Sequence, residues 1–328
     1  MLIFRDADPF LILLLALAVD LAFGDMPWIF RYLPHPVAIA GSAVARLDRR
    51  LNRARRSDRT RLLRGVLATF VLVVVAAALG WVVKEYLGFV HYSAVVEGVI
   101  VAILLAQRSL FEHVAAVAKA LQAGGIAAGR TAVAKIVGRD PESLDEHGVI
   151  RAAIESLYEN FSDGVVAPSF WYLLFGLPGI FAYKTANTLD SMIGHRSPKY
   201  FHFGWAAARL DDALNWIPAR LTGALLCIAA AGLPETSARA AWATMLRDAR
   251  KHRSPNAGWP EAAGAGALGL ALGGPRSYGG TTAYEPWLGE GRARATLPDL
   301  AAALKLFLAA AACFAVLLLL GAALAHSL

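Results

Sequence analysis

The sequence predicts an all-α protein: a polytopic integral membrane helical bundle with embedded or re-entrant helices and cytoplasmic loops. Three observations carry that expectation. Of 328 residues, 57% are hydrophobic and only 17% charged, whereas soluble domains run near about 45–50% apolar and about 25% charged. Mean hydropathy is +0.49. Residues 65–83 and 306–325 run without a charge for roughly the 20 positions that a helix needs to cross a hydrocarbon core. Disorder and a disulfide scaffold are excluded by the same composition. Cys227 and Cys313 stand alone in apolar stretches with no metal-ligand spacing, so they read as core thiols.

In chain order, the first apolar run covers residues 9–24 and is interrupted by Asp20. Arg5 ahead of it is offset by Asp6 and Asp8, so a signal peptide's basic leader is missing and a retained helix is expected. Between Asp25 and Arg64 there are ten arginines against Asp25, Asp48 and Asp58, while the connection at 84–93 carries Lys84 alone among basic residues. The positive-inside rule places residues 25–64 in the cytoplasm and the N-terminus outside. No aromatic interleaving or DNA-binding motif accompanies those arginines, so no nucleic-acid partner is expected. His35 lies between Pro34 and Pro36 and reads as part of a rigid loop.

Residues 65–83 then span outward. The stretch at 86–107, which contains Glu97, returns the chain and leaves 109–163 inside. Residues 124–131, GGIAAGRT, approach the phosphate-loop pattern with Arg130 in place of lysine. That motif needs a strand immediately before it, and FEHVAAVAKALQA has helical character instead. Residues 164–183 are uncharged but contain Pro168 and Pro178; residues 215–233 form another apolar stretch, and 306–325 carry the C-terminus back outside.

Polar residues between apolar runs are costly in a membrane protein and point to function. The first such island, RAAIESLYENFSDG, sets Arg151, Glu155 and Glu159 four residues apart, on one helix face. The second, residues 184–220, contains Lys184, Asn187, Asp190, Ser191, His195, Lys199, Arg209, Asp211, Asp212, Asn215 and Arg220. Carboxylate and amide oxygens are the hard ligands of Mg²⁺, and Lys and Arg clamp phosphates. Asp211 and Asn215 align at i, i+4, as do Asp212 and Trp216, and Arg209 precedes Asp212 by three. The inventory suits a phosphorylated substrate. In the third, residues 247–280, Asn256-Ala-Gly-Trp-Pro-Glu reads as a turn into a helix with Pro260 and Glu261 in its first turn. The glycines from Gly264 to Gly274 read chiefly as packing devices.

With LPHPVAIAG, VGRD, RAAIESLYENFSDGVVAPSFW, KTANTLDSMIGH, FGWAAARLDDALNWIPARLTG, SPNAGWPEAAGAGALG and GGPRSYGG in this order, the chain resembles the adenosylcobinamide-phosphate synthase (CobD/CbiB) membrane family. The likeness covers most of the chain. His195 stands where that family has an aromatic, and Pro141 follows VGRD in place of a hydroxyl residue. The resemblance implies a single membrane-embedded catalytic domain over 1–328 that acts as an ATP-dependent ligase. It would join adenosylcobyric acid to (R)-1-amino-2-propanol O-phosphate, or to the free aminopropanol, through an acyl phosphate.

ATP and Mg²⁺ are the implied cofactors. Asp190, Asp211 and Asp212 are candidate metal ligands, with Lys184, Arg209 and Arg220 for phosphates and Asn187 and Asn215 beside them. Glu155, Glu159, Asp190 and His195 are candidates for catalysis, the first two and His195 as base. Asn256, Trp259 and Glu261 are candidates for corrinoid or nucleotide contact. The implied location is the inner membrane, multi-pass, with the site facing the cytoplasm and both termini outside. The lipid bilayer and other membrane-bound cobalamin assembly enzymes are the expected partners. A cytoplasmic site favours four spans (9–24, 65–83, 86–107 and 306–325) with 164–183 and 215–233 embedded; six spans is the alternative. A Mg-dependent prenyltransferase-like enzyme and a corrinoid transporter are the competing readings, the latter lacking the internal repeat that carriers often show.

Overall fold

The computed structural model describes residues 8–137, 141–278, 281–283 and 285–327. Arg5 and Asp6, residues 138–140 of VGRD, and Gly279 and Gly280 lie outside them. In chain order the helices are α1 (Pro9–Phe23), α2 (Pro27–Phe30), α3 (Pro36–Leu51), α4 (Asp58–Leu87), α5 (Ser93–Leu104), α6 (Gln107–Val133), α7 (Glu146–Phe161), α8 (Ala167–Ile193), α9 (Trp205–Leu214), α10 (Trp216–Ala229), α11 (Ala238–Asp248), α12 (Gly258–Leu268) and α13 (Leu297–Ser327). Short strands β1 (Leu272–Gly273), β2 (Arg276–Tyr278), β3 (Thr281–Ala283) and β4 (Trp287–Leu288) pair antiparallel as β1 with β4 and β2 with β3. The all-α bundle expected from composition is the observed architecture.

Four helical stretches are long and apolar enough to cross a membrane: Asp58–Leu87, Ser93–Val133, Glu146–Ile193 and Leu297–Ser327. A fifth exists if α9 and α10, bent by 46° at Asn215, count as one. The chain is therefore of multi-pass membrane type, but its apolar segments differ from expectation. Helix α1 has only 15 residues, short of the roughly 20 a span requires. The run at 86–107 does not form one helix, because residues 88–92 turn with Tyr92 left-handed at φ 60° and α5 begins at Ser93.

The proline-interrupted run at 164–183 is helical throughout. A π-turn over Ser162–Val166 absorbs the register change into α8, and Pro168 falls in the first turn, where a missing N–H costs nothing. Gly176, at φ 62°, takes up the kink ahead of Pro178, a conformation that glycine alone adopts freely.

The contacts divide the chain into two compact units, each assembled from separated stretches. The first comprises Met1–Ala106, Ala167–Asn215 and Gly321–Leu328. Within it α8 packs on α4, α3 and α9, and α1 packs on α5. Val44, Ala68, Leu189, Ile193, Phe203 and Ala207 form its buried cluster. Gly65 allows a close approach, since a Cβ there would sit 1.9 Å from the Phe203 carbonyl oxygen. Helix α4 is the most apolar span, yet only 17% of its central window is buried. Phe70, Val75 and Trp81 project outward, a face that hydrocarbon covers. His35 caps α3, its Nδ1 accepting from Val37 N at 3.2 Å, so the rigid-loop expectation for this residue holds.

The second unit comprises Gln107–Val166 and Trp216–Leu320. Its centre is α12, packed on α11 and α10 and buried from Pro260 to Ala267. The small residues work as packing devices, as expected: Gly264 lies against the Tyr158 ring and Gly266 against the Ala240 carbonyl. Phe161 and Phe307 meet edge to face at 5.0 Å. The GGIAAGRT stretch is helical, kinked at Gly125, and Arg130 donates to the Leu144 carbonyl.

Candidate functional site

In the first unit, α8 and α9 bring one group of sequence-selected residues together. Asp211 is buried near the end of α9, and the helix stops at Asn215. Asn215 Nδ2 turns back one helical turn to donate to Asp211 Oδ2 at 3.0 Å, and Asn187 Nδ2, from α8, donates to Asp211 Oδ1 at 3.3 Å. Tyr183 Oη, one turn before Asn187, donates to Asn215 Oδ1 at 2.9 Å. Both Asp211 oxygens thus accept an amide N–H. Such a satisfied network is worth most where water is scarce. The i, i+4 alignment of Asp211 with Asn215 appears as expected. Asp212 and Trp216, the other pair at that spacing, fall on separate helices, α9 and α10.

Asp190 and Asp212 are the carboxylates whose charges act on Asp211. Asp190, on the last turn of α8, has its Oδ1 over Gly194, where a Cβ would meet it at 1.9 Å. Asp212 instead turns to Arg209 Nη1 at 3.5 Å. Lys184 is half-buried on α8, while His195 and Arg209 are exposed. No set of three or more His, Cys, Asp or Glu side chains with metal-site spacing occurs among the described residues. Of the three aspartates expected to hold a metal, Asp211 is therefore engaged by two amides and Asp212 by Arg209. An apolar cavity of about 350 Å³ adjoins the network, walled by Val73, Trp171, Phe175, Pro178 and Tyr183. Trp171 is held there by its Nε1 bond to the Leu214 carbonyl at 3.1 Å.

The second unit holds the remaining selected residues. Glu155 is 3% exposed and accepts the Gly273 N–H at 2.7 Å, which fastens α7 to β1. Arg151 on the same helix bonds the Ala293 carbonyl and stacks over Trp287 at 5.5 Å. Glu159 is exposed. Asn256 opens the turn into α12, with Trp259 N donating to its carbonyl at 3.0 Å. Glu261 is buried in the first helical turn, its Oε1 3.8 Å from His252 Nε2. Arg220 Nη1 reaches Asn256 Oδ1 at 3.3 Å, so this pair, selected from separate islands, does meet.

Tyr183 and Trp216 are the residues that sequence reasoning passed over. The signal for Tyr183 was its place four residues before Asn187 on a helix. Trp216, whose ring centroid lies 4.2 Å from the Arg220 guanidinium, precedes Arg220 by the same interval.

The sequence matches the family described as CobD/Cbib protein over residues 13–307. It is 51% identical over 309 residues to a "Cobalamin biosynthesis protein CobD" of Rhizobium meliloti, covering 93% of this chain and 94% of the relative. A protein of the same name from Brucella suis is 52% identical over 300 residues, covering 90% and 92%. One from Rhodobacter capsulatus is 48% identical over 287 residues, covering 88% and 87%. No solved structure matches the chain.

Proposed function

The chain belongs to the CobD/Cbib family of cobalamin biosynthesis proteins, and from that premise we propose that it is an ATP-dependent amide-forming ligase. It joins the propionate carboxylate of adenosylcobyric acid to the amine of (R)-1-amino-2-propanol O-phosphate, or of aminopropanol itself. The product is adenosylcobinamide phosphate or adenosylcobinamide. The observation that supports this reading best is the Tyr183–Asn215–Asp211–Asn187 network with Asp190 beside it. It is an acidic site whose central carboxylate is held by two amide groups.

A carboxylate is a poor electrophile, so the propionate attacks the ATP γ-phosphate first, releasing ADP and forming an acyl phosphate. The amine then attacks the acyl carbon, inorganic phosphate leaves, and a base takes the amine proton. Asp190 and Asp211 fit Mg²⁺, which takes one or two protein carboxylates alongside phosphate oxygens and water. Bound there, the ion would polarise the transferring phosphoryl group. Asn187 and Asn215 hold the Asp211 carboxylate in one orientation, and Lys184 and Arg209 supply cationic charge for phosphate oxygens. Of the candidate bases, His195 is exposed in the same unit as this network, and Glu159 is exposed in the other unit. Glu155 anchors the backbone of Gly273.

Corrinoid and ATP are cytoplasmic substrates, which argues for a site on that face of the inner membrane with the C-terminus outside; the ground for an outside N-terminus goes with α1, which at 15 residues is short for a span. The bilayer holds a scarce intermediate near other membrane-bound cobalamin assembly enzymes. The test uses the purified, detergent-solubilised chain with adenosylcobyric acid, Mg-ATP and aminopropanol phosphate, following amide by mass together with ADP. Equal amounts of amide and ADP are expected, and Asp190→Ala should abolish both. Folded protein that makes no amide from either form of the amine would overturn the proposal.

A further inference from the structure

The apolar cavity beside the Asp211 network lies wholly within the first unit, between α4, α8 and α9. Val73 and Ala77 of α4 form one wall, Trp171, Phe175 and Tyr183 of α8 a second, and Leu210 of α9 closes the base. Trp171 and Phe175 stack nearly parallel, with 12° between their planes and 5.8 Å between centroids, which gives the cavity one flat aromatic side. The polar atoms of the two amphipathic wall side chains are both engaged. Trp171 Nε1 donates to the Leu214 carbonyl and Tyr183 Oη to Asn215 Oδ1. Water has little to bond to in such a space.

Depth identifies what enters instead. Helix α4 carries no charge between Arg64 and Lys84. At about 1.5 Å per residue, Val73 and Ala77 lie roughly 13 and 19 Å beyond Arg64, and roughly 16 and 10 Å short of Lys84. Both therefore fall inside a hydrocarbon core about 30 Å thick. At the rim, Phe175 is 59% exposed, and Val74 and Leu174 also project outward. The cavity thus meets the surface where the surrounding liquid is acyl chain. Its volume of about 350 Å³ is within the usual range of ligand pockets. Lipid supplies no hydrophobic drive for association, so packing decides occupancy. Empty, the walls forfeit their dispersion contacts; a chain laid along the flat aromatic side restores them.

We propose that this cavity seats one acyl chain of a bilayer lipid, and that the seated chain steadies the Asp211 network. Tyr183 links the two. Its ring is cavity wall, and its hydroxyl holds Asn215, which in turn holds Asp211. A chain packed against the ring restrains it, and the carboxylate keeps one orientation. The seat stands independently of the ligase reading; its effect on turnover rests on that reading, where it gives an enzyme of water-soluble substrates a reason to sit in the bilayer.

The full chain is purified in a steroidal detergent, which has no alkyl chain, stripped of phospholipid, and titrated with phosphatidylglycerol brominated along its acyl chains. Bromine quenches tryptophan emission on contact, and subtracting Trp171→Phe from the parent isolates the emission of Trp171. That component should be quenched to saturation by a single lipid per chain. Ala77→Phe and Ala182→Leu fill the cavity from α4 and α8, with thermal melts to check folding. In each, the Trp171 component should lose its saturable quenching while the other tryptophans keep theirs. In turnover, the lipid should raise the parent's kcat at unchanged KM and leave both filled variants unaffected. Quenching of Trp171 that never saturates, or that is equal in parent and filled variants, overturns the seat. Saturable quenching with no change in the parent's kcat overturns the link to the network. Saturable quenching in a parent that makes no amide counts against the ligase reading alone.

Discussion

Asn215 shows how much a single side chain can join. It donates to Asp211 and accepts from Tyr183, so Asn215→Leu leaves a buried hydroxyl and a buried carboxylate each short of a partner. Losing a hydrogen bond to a charged group costs about 1.5–3 kcal/mol. Amide formation should fall at least tenfold, measured with the melting temperature as control, and Tyr183→Phe should fall less.

Asp248 belongs to stability instead. It is 1% exposed, accepts Gly289 N–H at 2.9 Å, and pairs with Arg247 and Lys251 at 2.7 Å each. The Arg247 hydrogen bond, ahead of those from Lys251 and Gly289, holds its carboxyl well below the usual carboxylate range. The folded state therefore binds this proton less readily than the unfolded chain. Its stabilisation is complete above the unfolded value near about 4 and is lost as pH falls through the lower folded value. Asp248→Ala should lower the melting temperature at pH 7 and flatten the loss of stability below about pH 4, as a pH series of thermal melts would show.

Among the elements, α4 depends on glycines where neighbouring backbone comes close. Gly65 faces the Phe203 carbonyl, and Gly80 faces that of Leu177, where a Cβ would stand 2.6 Å away. A backbone oxygen cannot swing aside as a side chain can. Overpacking costs about 1–3 kcal/mol, so Gly65→Ala should lower the detergent melting temperature by several degrees. At Gly232 a Cβ would meet no atom within 4 Å, and Gly232→Ala should leave the melt unchanged. Helix existence was readable from the sequence because charge-free runs and polar islands alternate. Breaks were less so. Proline at 168 and 178 suggested interruption, but the π-turn and Gly176 kept the segment helical. Conversely, 86–107 looked continuous until the turn before Ser93 divided it.

At the scale of the whole molecule, the arginines between Asp25 and Arg64 set the expected orientation. Ala54→Cys should react with a membrane-impermeant maleimide only after lysis, and Ser327→Cys should react in intact cells; both positions are exposed. The reverse pattern would invert the topology and turn the candidate site away from the cytoplasmic substrates proposed for it.

Composition and periodicity by themselves determined the helical membrane class, because lipid selects for long uncharged helices and makes buried charge conspicuous. The motifs by themselves indicated the family, and the i, i+4 spacing of Asp211 and Asn215 already placed that pair on one helix. Only the tertiary structure decided which of the polar residues meet. It brought Asn187 to Asp211 across two helices, sent Asp212 to Arg209, and committed Glu155 to a backbone N–H. Contacts within one helical turn follow from helix geometry, which a sequence carries. Contacts between distant segments follow from packing, which no local spacing encodes.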